Sequence, residues 1–366
     1  TARVSAELRL SGIKVLALMS MEGWASERVR DLAEASRTLL PQSNTHEHTV
    51  STLFALFLHY HVASKRTDCR RVVDELVDFA DRIQDASLQA VAAMTKGVDY
   101  HAGGRFLEAE TWLEKGRNLY DPERDRHHAA IFGMDCYVWA TAQLAWVQWG
   151  MGRTTRSFEL AEEAIDWARK VQHIPSLALG LLYITQIHQM NGDRDAVRAR
   201  SSELLETAGT FGLPAYEAYG AALAAWASRD LEGIEQIIGT LKSLNCNLIL
   251  TFYGSFLSDI EAEAGRLPEA IAQVERWLEA CGELDEHVYE PELLRRRGLF
   301  EMHLDEPDVE HARRALQTAR SLAREQGMYL FEAAALRDLT RLFGASDEWR
   351  ERLVEINRTY SDVTLE

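Results

Sequence analysis

Histidines and carboxylates are the first places to look for chemistry in this chain. His59 and His61 flank Tyr60, with His46 and His48 upstream, and such a group could hold a divalent metal. Residues two apart on a helix point in different directions, however, and no Asp or Cys joins them at ligand spacing. His127-His128, inside the mixed-charge run Asp121 to His128, could supply a general base, yet the run reads as a solvated or loop-ordering segment. Glu108 with Glu110, and Glu162 with Glu163, fall on exposed helix faces by their period. Cys69, Cys136, Cys246 and Cys281 stand far apart with no CxxC pair, which suits reduced thiols in helical cores. No strand is present to carry a nucleophile elbow, and no GxxxxGK[ST] phosphate loop occurs. The sequence therefore predicts no catalytic residue, no metal site and no cofactor, and not an enzyme.

The elements that would position any site are helical hairpins. Ala90 to Leu119 sets the pattern: Gly97 and Tyr100 on one helix, a Gly103-Gly104 break, then Phe106, Ala109, Leu113 and Gly116 on a second. Small residues at such offsets let two antiparallel helices approach closely, as in a tetratricopeptide repeat. Break signals recur at Gly152-Arg153, Gly192-Asp193, Arg229-Asp230, Gly265-Arg266 and Asp305 to Asp308. Their spacing is 36 to 40 residues, apart from one interval of 48 that contains the long connection Tyr120 to Asp135. Helix-pair repeats run at roughly 34 to 47 residues. The expected architecture is all-α: a right-handed tetratricopeptide-like superhelix of about eight tandem hairpins, forming one repeat domain over residues 1–366. The hairpins are expected near 4–40, 47–83, 86–120, 134–172, 176–211, 214–245, 248–283 and 288–326, with a capping pair near 329–358.

Bulk properties limit the partners. At 46% hydrophobic and 27% charged with 7 prolines, the chain has the make-up of a folded, helix-rich protein. A net charge of −17 repels a phosphate backbone and argues against nucleic acid. No apolar run reaches the ~18 residues of a membrane span, and no basic-then-apolar leader opens the chain. A cytoplasmic protein away from membranes is expected. The chain starts on Thr1, which fits processing or excision from a longer protein.

In a tetratricopeptide superhelix the first helix of each pair lines the concave face. Setting each break glycine as position 15 puts Trp139, Trp146, Trp149, Tyr216, Tyr219, Trp226 and Phe252 on the inner wall of the central units, with Gln186 and Gln189 between them and His101 one unit earlier. Aromatics and amides bury area while keeping a polar handle, so this wall suits a peptide, a helix or a sugar-like small molecule. The same tryptophans could instead fill space against the neighbouring repeat. Arg295 is the one cation on these rows, so the Lys and Asn clamp of chaperone-binding repeats is missing.

The wording of the chain adds a resemblance. YDPERDRHH, GMD and the AQLAWVQWGMG helix, together with EGWASERVRDLAEASRTLL, RRRGLFEMHLDEPDVEHARRAL and AREQGMYLFEAAALRDLTRL, resemble the tetratricopeptide C-terminal region of large bacterial signalling proteins. In those proteins a class III nucleotidyl cyclase or a winged-helix DNA-binding domain precedes a STAND-type predicted ATPase, and the repeats follow. The resemblance implies a non-catalytic binding and regulatory segment of such a signalling or transcription-regulating ATPase. Its partners would be a protein segment, other domains of the parent, or a small-molecule or peptide effector. A stand-alone sensor and a self-associating, homo-oligomeric scaffold remain the alternatives.

Overall fold

The computed structural model describes residues 2–43 and 45–359, and its regular elements are helices. They follow as pairs: α1 (Ala2–Glu22) with α2 (Glu27–Leu39), α3 (His46–Val62) with α4 (Arg66–Ile83), α5 (Ala86–Ala102) with α6 (Phe106–Leu119). Two short helices, α7 (Pro122–Asp125) and α8 (His128–Phe132), fill the long connection. The series resumes with α9 (Cys136–Gly150) and α10 (Thr154–Val171), α11 (Ile174–Met190) and α12 (Arg194–Phe211), α13 (Pro214–Ser228) and α14 (Leu231–Ser243). It closes with α15 (Leu250–Glu263) and α16 (Leu267–Leu284), α17 (Glu290–Glu301) and α18 (Val309–Gln326), α19 (Tyr329–Phe343) and α20 (Asp347–Thr359). Together they form a right-handed superhelix of tandem hairpins.

The break signals work as caps. Aspartates open many helices: Asp85, Asp135, Asp193, Asp230 and Asp308 each accept a hydrogen bond from a backbone N–H in the first turn that follows. Left-handed residues close others, with glycine at Gly212 (φ 65°) and Gly327 (φ 81°).

Composition then sorts the helices into two layers. α9, CYVWATAQLAWVQWG, is buried along all but one of its residues, whereas α4 buries Arg66 and the stripe Cys69, Val72, Val73, Leu76 and Ala80. A helix apolar all round must be covered on all sides, and an amphipathic one can face water. In the central hairpins the first helix therefore forms the inner layer and the second the outer. Close approach within a pair depends on missing side chains. A Cβ on Gly97 would lie 2.6 Å from Leu113 Cγ, and one on Gly254 would lie 1.9 Å from the Trp277 ring.

The superhelix is wound tightly enough for distant hairpins to touch. The connection between α14 and α15 reaches α3, where the N–H groups of Asn247 and Leu248 both donate to Val62 O at 2.9 and 3.0 Å. Asn245 Nδ2 donates to Ala25 O at 3.1 Å. Further along, Trp149 of α9 meets Phe331 of α19 edge to face at 5.6 Å. The inner layer consequently faces itself.

Candidate functional site

All ten residues assigned to the inner wall are buried: Trp139, Trp146, Trp149, Gln186, Gln189, Tyr216, Tyr219, Trp226, Phe252 and His101. Where an open groove was expected, inner-wall side chains meet residues from other parts of the superhelix. Gln186 Nε2 of α11 donates to the Tyr253 hydroxyl of α15 at 2.7 Å, and Trp24 stands edge to face with Tyr216 at 4.9 Å.

What remains of the groove is an axial cavity of about 50 Å³. Trp139, Gln186, Tyr216 and Tyr219 of the expected set line it, together with Trp24, His61, Tyr183 and Tyr253 and the apolar Leu179, Leu182, Leu248 and Ile249. The other six lie elsewhere in the packed wall. Trp146 packs on His101 and Phe106, Trp149 donates Nε1–H to Asn191 Oδ1 at 2.8 Å, and Phe252 packs on Tyr289. Trp226 donates to Asp259 and carries Arg194 over its ring at 4.1 Å. A second cavity has a volume of about 170 Å³. Leu16, Met19, Phe132, Gly133, His173, Leu213 and Pro214 line it, and Trp24 and Tyr216 border both spaces.

Polar groups around the axial cavity are of two kinds. One kind is satisfied: Tyr183 OH donates to Gln143 Oε1 at 2.5 Å, and Gln143 Nε2 donates to His101 Nδ1 at 2.6 Å, a chain crossing three inner helices. The other is not, since His61 Nδ1, Trp139 Nε1, Gln186 Oε1 and Tyr216 OH have no hydrogen-bond partner. Buried polar atoms are nearly always paired, and these four belong to residues lining one cavity. Burial holds the His61 imidazole neutral, its pKa well below the ordinary 6.5, with Arg66 adding to the effect.

The C-terminal inner wall is built differently. Arg295 pairs with Glu292 at 2.7 Å and with Asp338 at 2.5 Å, and Arg296 pairs with Asp259 at 2.8 Å. Arg295, the single cation foreseen on the wall, is therefore neutralised within the fold.

The long connection supports the cavity from outside. Asp121 caps α7, His128 Nε2 and Ser87 Oγ hydrogen-bond at 2.8 Å, and Tyr120 OH donates to Asp135 Oδ2 at 2.9 Å. These bonds fix α8 so that Phe132 packs on Phe54 and Gly133 borders the second cavity. His127-His128 has a structural setting here, and the thiols of Cys69, Cys136, Cys246 and Cys281 are free and buried. Among the described residues no group of three metal-ligating side chains comes together, and no helix is long and apolar enough to cross a membrane.

The inner-wall register found four lining residues and missed others. Tyr253 follows Phe252 directly and Tyr183 lies off the chosen rows, both within reach of a one-residue frame change. Trp24 and the 248–249 segment come from a turn and a loop, which helical periodicity does not index.

Neither a protein-family model nor a curated protein matches the sequence. Among solved structures, a Rap protein complexed with competence and sporulation factor is similar over 97% of this chain and 99% of its own, with a TM-score of 0.62 and 14% identity. The apo form of RapI aligns over 98% and 99% at a TM-score of 0.44 and 13% identity. The first likeness shows a shared fold.

Proposed function

We propose that the chain is a non-catalytic binding and regulatory module that takes a protein segment or small effector on the aromatic inner wall of its superhelix. The observation that carries this is the axial cavity, where His61 Nδ1, Gln186 Oε1 and Tyr216 OH stand unpaired among Trp24, Trp139, Tyr219 and Tyr253. The lining offers neutral hydrogen-bonding groups and no nucleophile–base pair, which supports binding over turnover. In a longer parent, occupancy would bias a STAND-type ATPase or an output domain such as a cyclase or a winged-helix domain. That coupling requires the ligand to bind one state of the parent more tightly than another. The resemblance of YDPERDRHH and AQLAWVQWGMG supports this parent.

A stand-alone cytoplasmic sensor is the second reading. It is favoured by the Rap protein solved with a bound factor, whose whole chain matches this array nearly end to end.

The test is a thermal-shift and tryptophan-fluorescence screen of the full chain against a panel of metabolites and peptides. A ligand at a hundred times its Kd stabilises by about 2.7 kcal/mol, a rise of a few degrees in Tm. A panel without a hit, together with unchanged parent output after Gln186→Leu, would overturn the proposal.

A further inference from the structure

Resting on that binding site, the structure points to the chemical class of its occupant: we infer that the axial site takes an uncharged molecule with a ring-sized apolar body and a small amide- or hydroxyl-type head.

The argument begins with charge. No residue lining either cavity is Asp, Glu, Lys or Arg, in a chain that is 27% charged. An ion brought into such walls would lose its hydration with no counter-charge to replace it. The protein does place ion pairs on its inner wall, but farther along, in the closed Arg295 and Arg296 network. The charged stretch and the uncharged one are thus separate parts of the same wall, and only the uncharged one borders the axial cavity.

Size gives the second limit. A cavity of roughly 150 Å³ accommodates benzene, so the outer space, at about 170 Å³, takes one ring. The inner space, at about 50 Å³, has room for a few heavy atoms. Of the two occupants named above, these volumes favour the small effector over the protein segment.

Hydrogen bonding gives the third. His61 and Trp139 are 3% exposed, Gln186 and Tyr216 are 1% exposed, and each carries one unpartnered polar atom. Gln186 Oε1 is a carbonyl oxygen and can only accept, while the amide nitrogen donates to the Tyr253 hydroxyl. The Tyr216 hydroxyl can donate. Neutral His61 Nδ1 does either, according to its tautomer. A primary amide, with its carbonyl and N–H₂, satisfies one acceptor and one donor together. Its ring would lie in the outer space, bordered by Trp24, Phe132, Leu213 and Pro214, with Tyr216 at the junction.

Three probes of one shape separate the possibilities: benzamide (neutral), benzoate (anion) and benzamidine (cation at neutral pH). Each is titrated into the full chain by calorimetry and tryptophan fluorescence, at pH 7.5. Saturable benzamide binding at least about tenfold tighter than either ion is expected. Tyr216→Phe, which keeps the ring against Trp24, and Gln186→Leu should each weaken benzamide by about three- to tenfold. Circular dichroism establishes that both variants fold. Equal affinity for the three probes, no saturable benzamide binding, or binding indifferent to both folded variants would overturn the assignment. If the broad panel still yields a charged or peptide ligand in that event, the binding function stands and only its chemistry changes. An empty panel would remove both.

Discussion

Glu286 is a carboxyl group placed where water cannot reach it. It is 3% exposed, it accepts from Thr251 Oγ1 at 2.6 Å, and burial pushes its pKa up to about 7 from the ordinary 4.5. Between those two values the folded chain holds a proton that the unfolded chain has released, so stability falls as pH rises through the window. By linkage the full effect is roughly 3 kcal/mol. Glu286→Gln should therefore raise Tm at pH 8 and leave it nearly unchanged at pH 4; no gain at pH 8 would refute the buried acid. The histidines act in the opposite sense. Burial lowers His101 to about 3 and His128 to about 4, so the unfolded chain takes up protons first as pH drops below 6.5. Stability should fall on acidification from pH 6.5 to pH 4, more steeply than Glu286 can offset, in both wild type and Glu286→Gln. A flat Tm over that range would contradict the burial of these imidazoles.

At the scale of elements, pairing within hairpins rests on small residues facing large ones. Gly254→Ala puts a methyl group inside the Trp277 ring, and overpacking of this kind costs about 1–3 kcal/mol. Combining it with Trp277→Leu should recover part of the loss, as a double-mutant cycle in denaturant would read; simple additivity would show that the two side chains do not compete for one space. The hairpins themselves were legible in the sequence, because aspartate caps, glycine breaks and the Gly97–Leu113 spacing are local signals. The connection from α14 to α15 was not. Ile249 (φ 48°) adopts left-handed backbone that a β-branched residue rarely chooses, in a segment whose Asn245, Asn247 and Leu248 bond Ala25 and Val62 some 180 to 220 residues away. Hydrogen exchange offers a direct check. The amides of Asn247 and Leu248 should exchange as slowly as interior helical amides, although they sit in a loop. Fast exchange at both would mean that the contact with α3 does not persist in solution.

For the whole molecule, the aromatic wall was visible in the chain as Trp139, Trp146, Trp149 and Tyr216, while its occupation by facing wall residues was not. Periodicity specifies which way a side chain points within a repeat; it carries no information on how far the superhelix winds before α15 meets α3 or α19 meets α9. That pitch comes from many small rotations between neighbouring hairpins, each set by packing. Removing α19 and α20 should accordingly destabilise more than the end of the array, since Trp149 of α9 loses Phe331. Exchange rates in α9 would rise, whereas an open array would leave them unaffected. The contact of Asn247 and Leu248 with Val62 also bears on how such a chain can change over time. Open repeat arrays lengthen and shorten by whole units, because each unit depends only on its neighbours. Here the second turn is keyed to the first like a screw in its thread. Duplicating or deleting any hairpin between α4 and α14 would bring the wrong loop opposite Val62, so unit number is fixed and change must proceed by substitution.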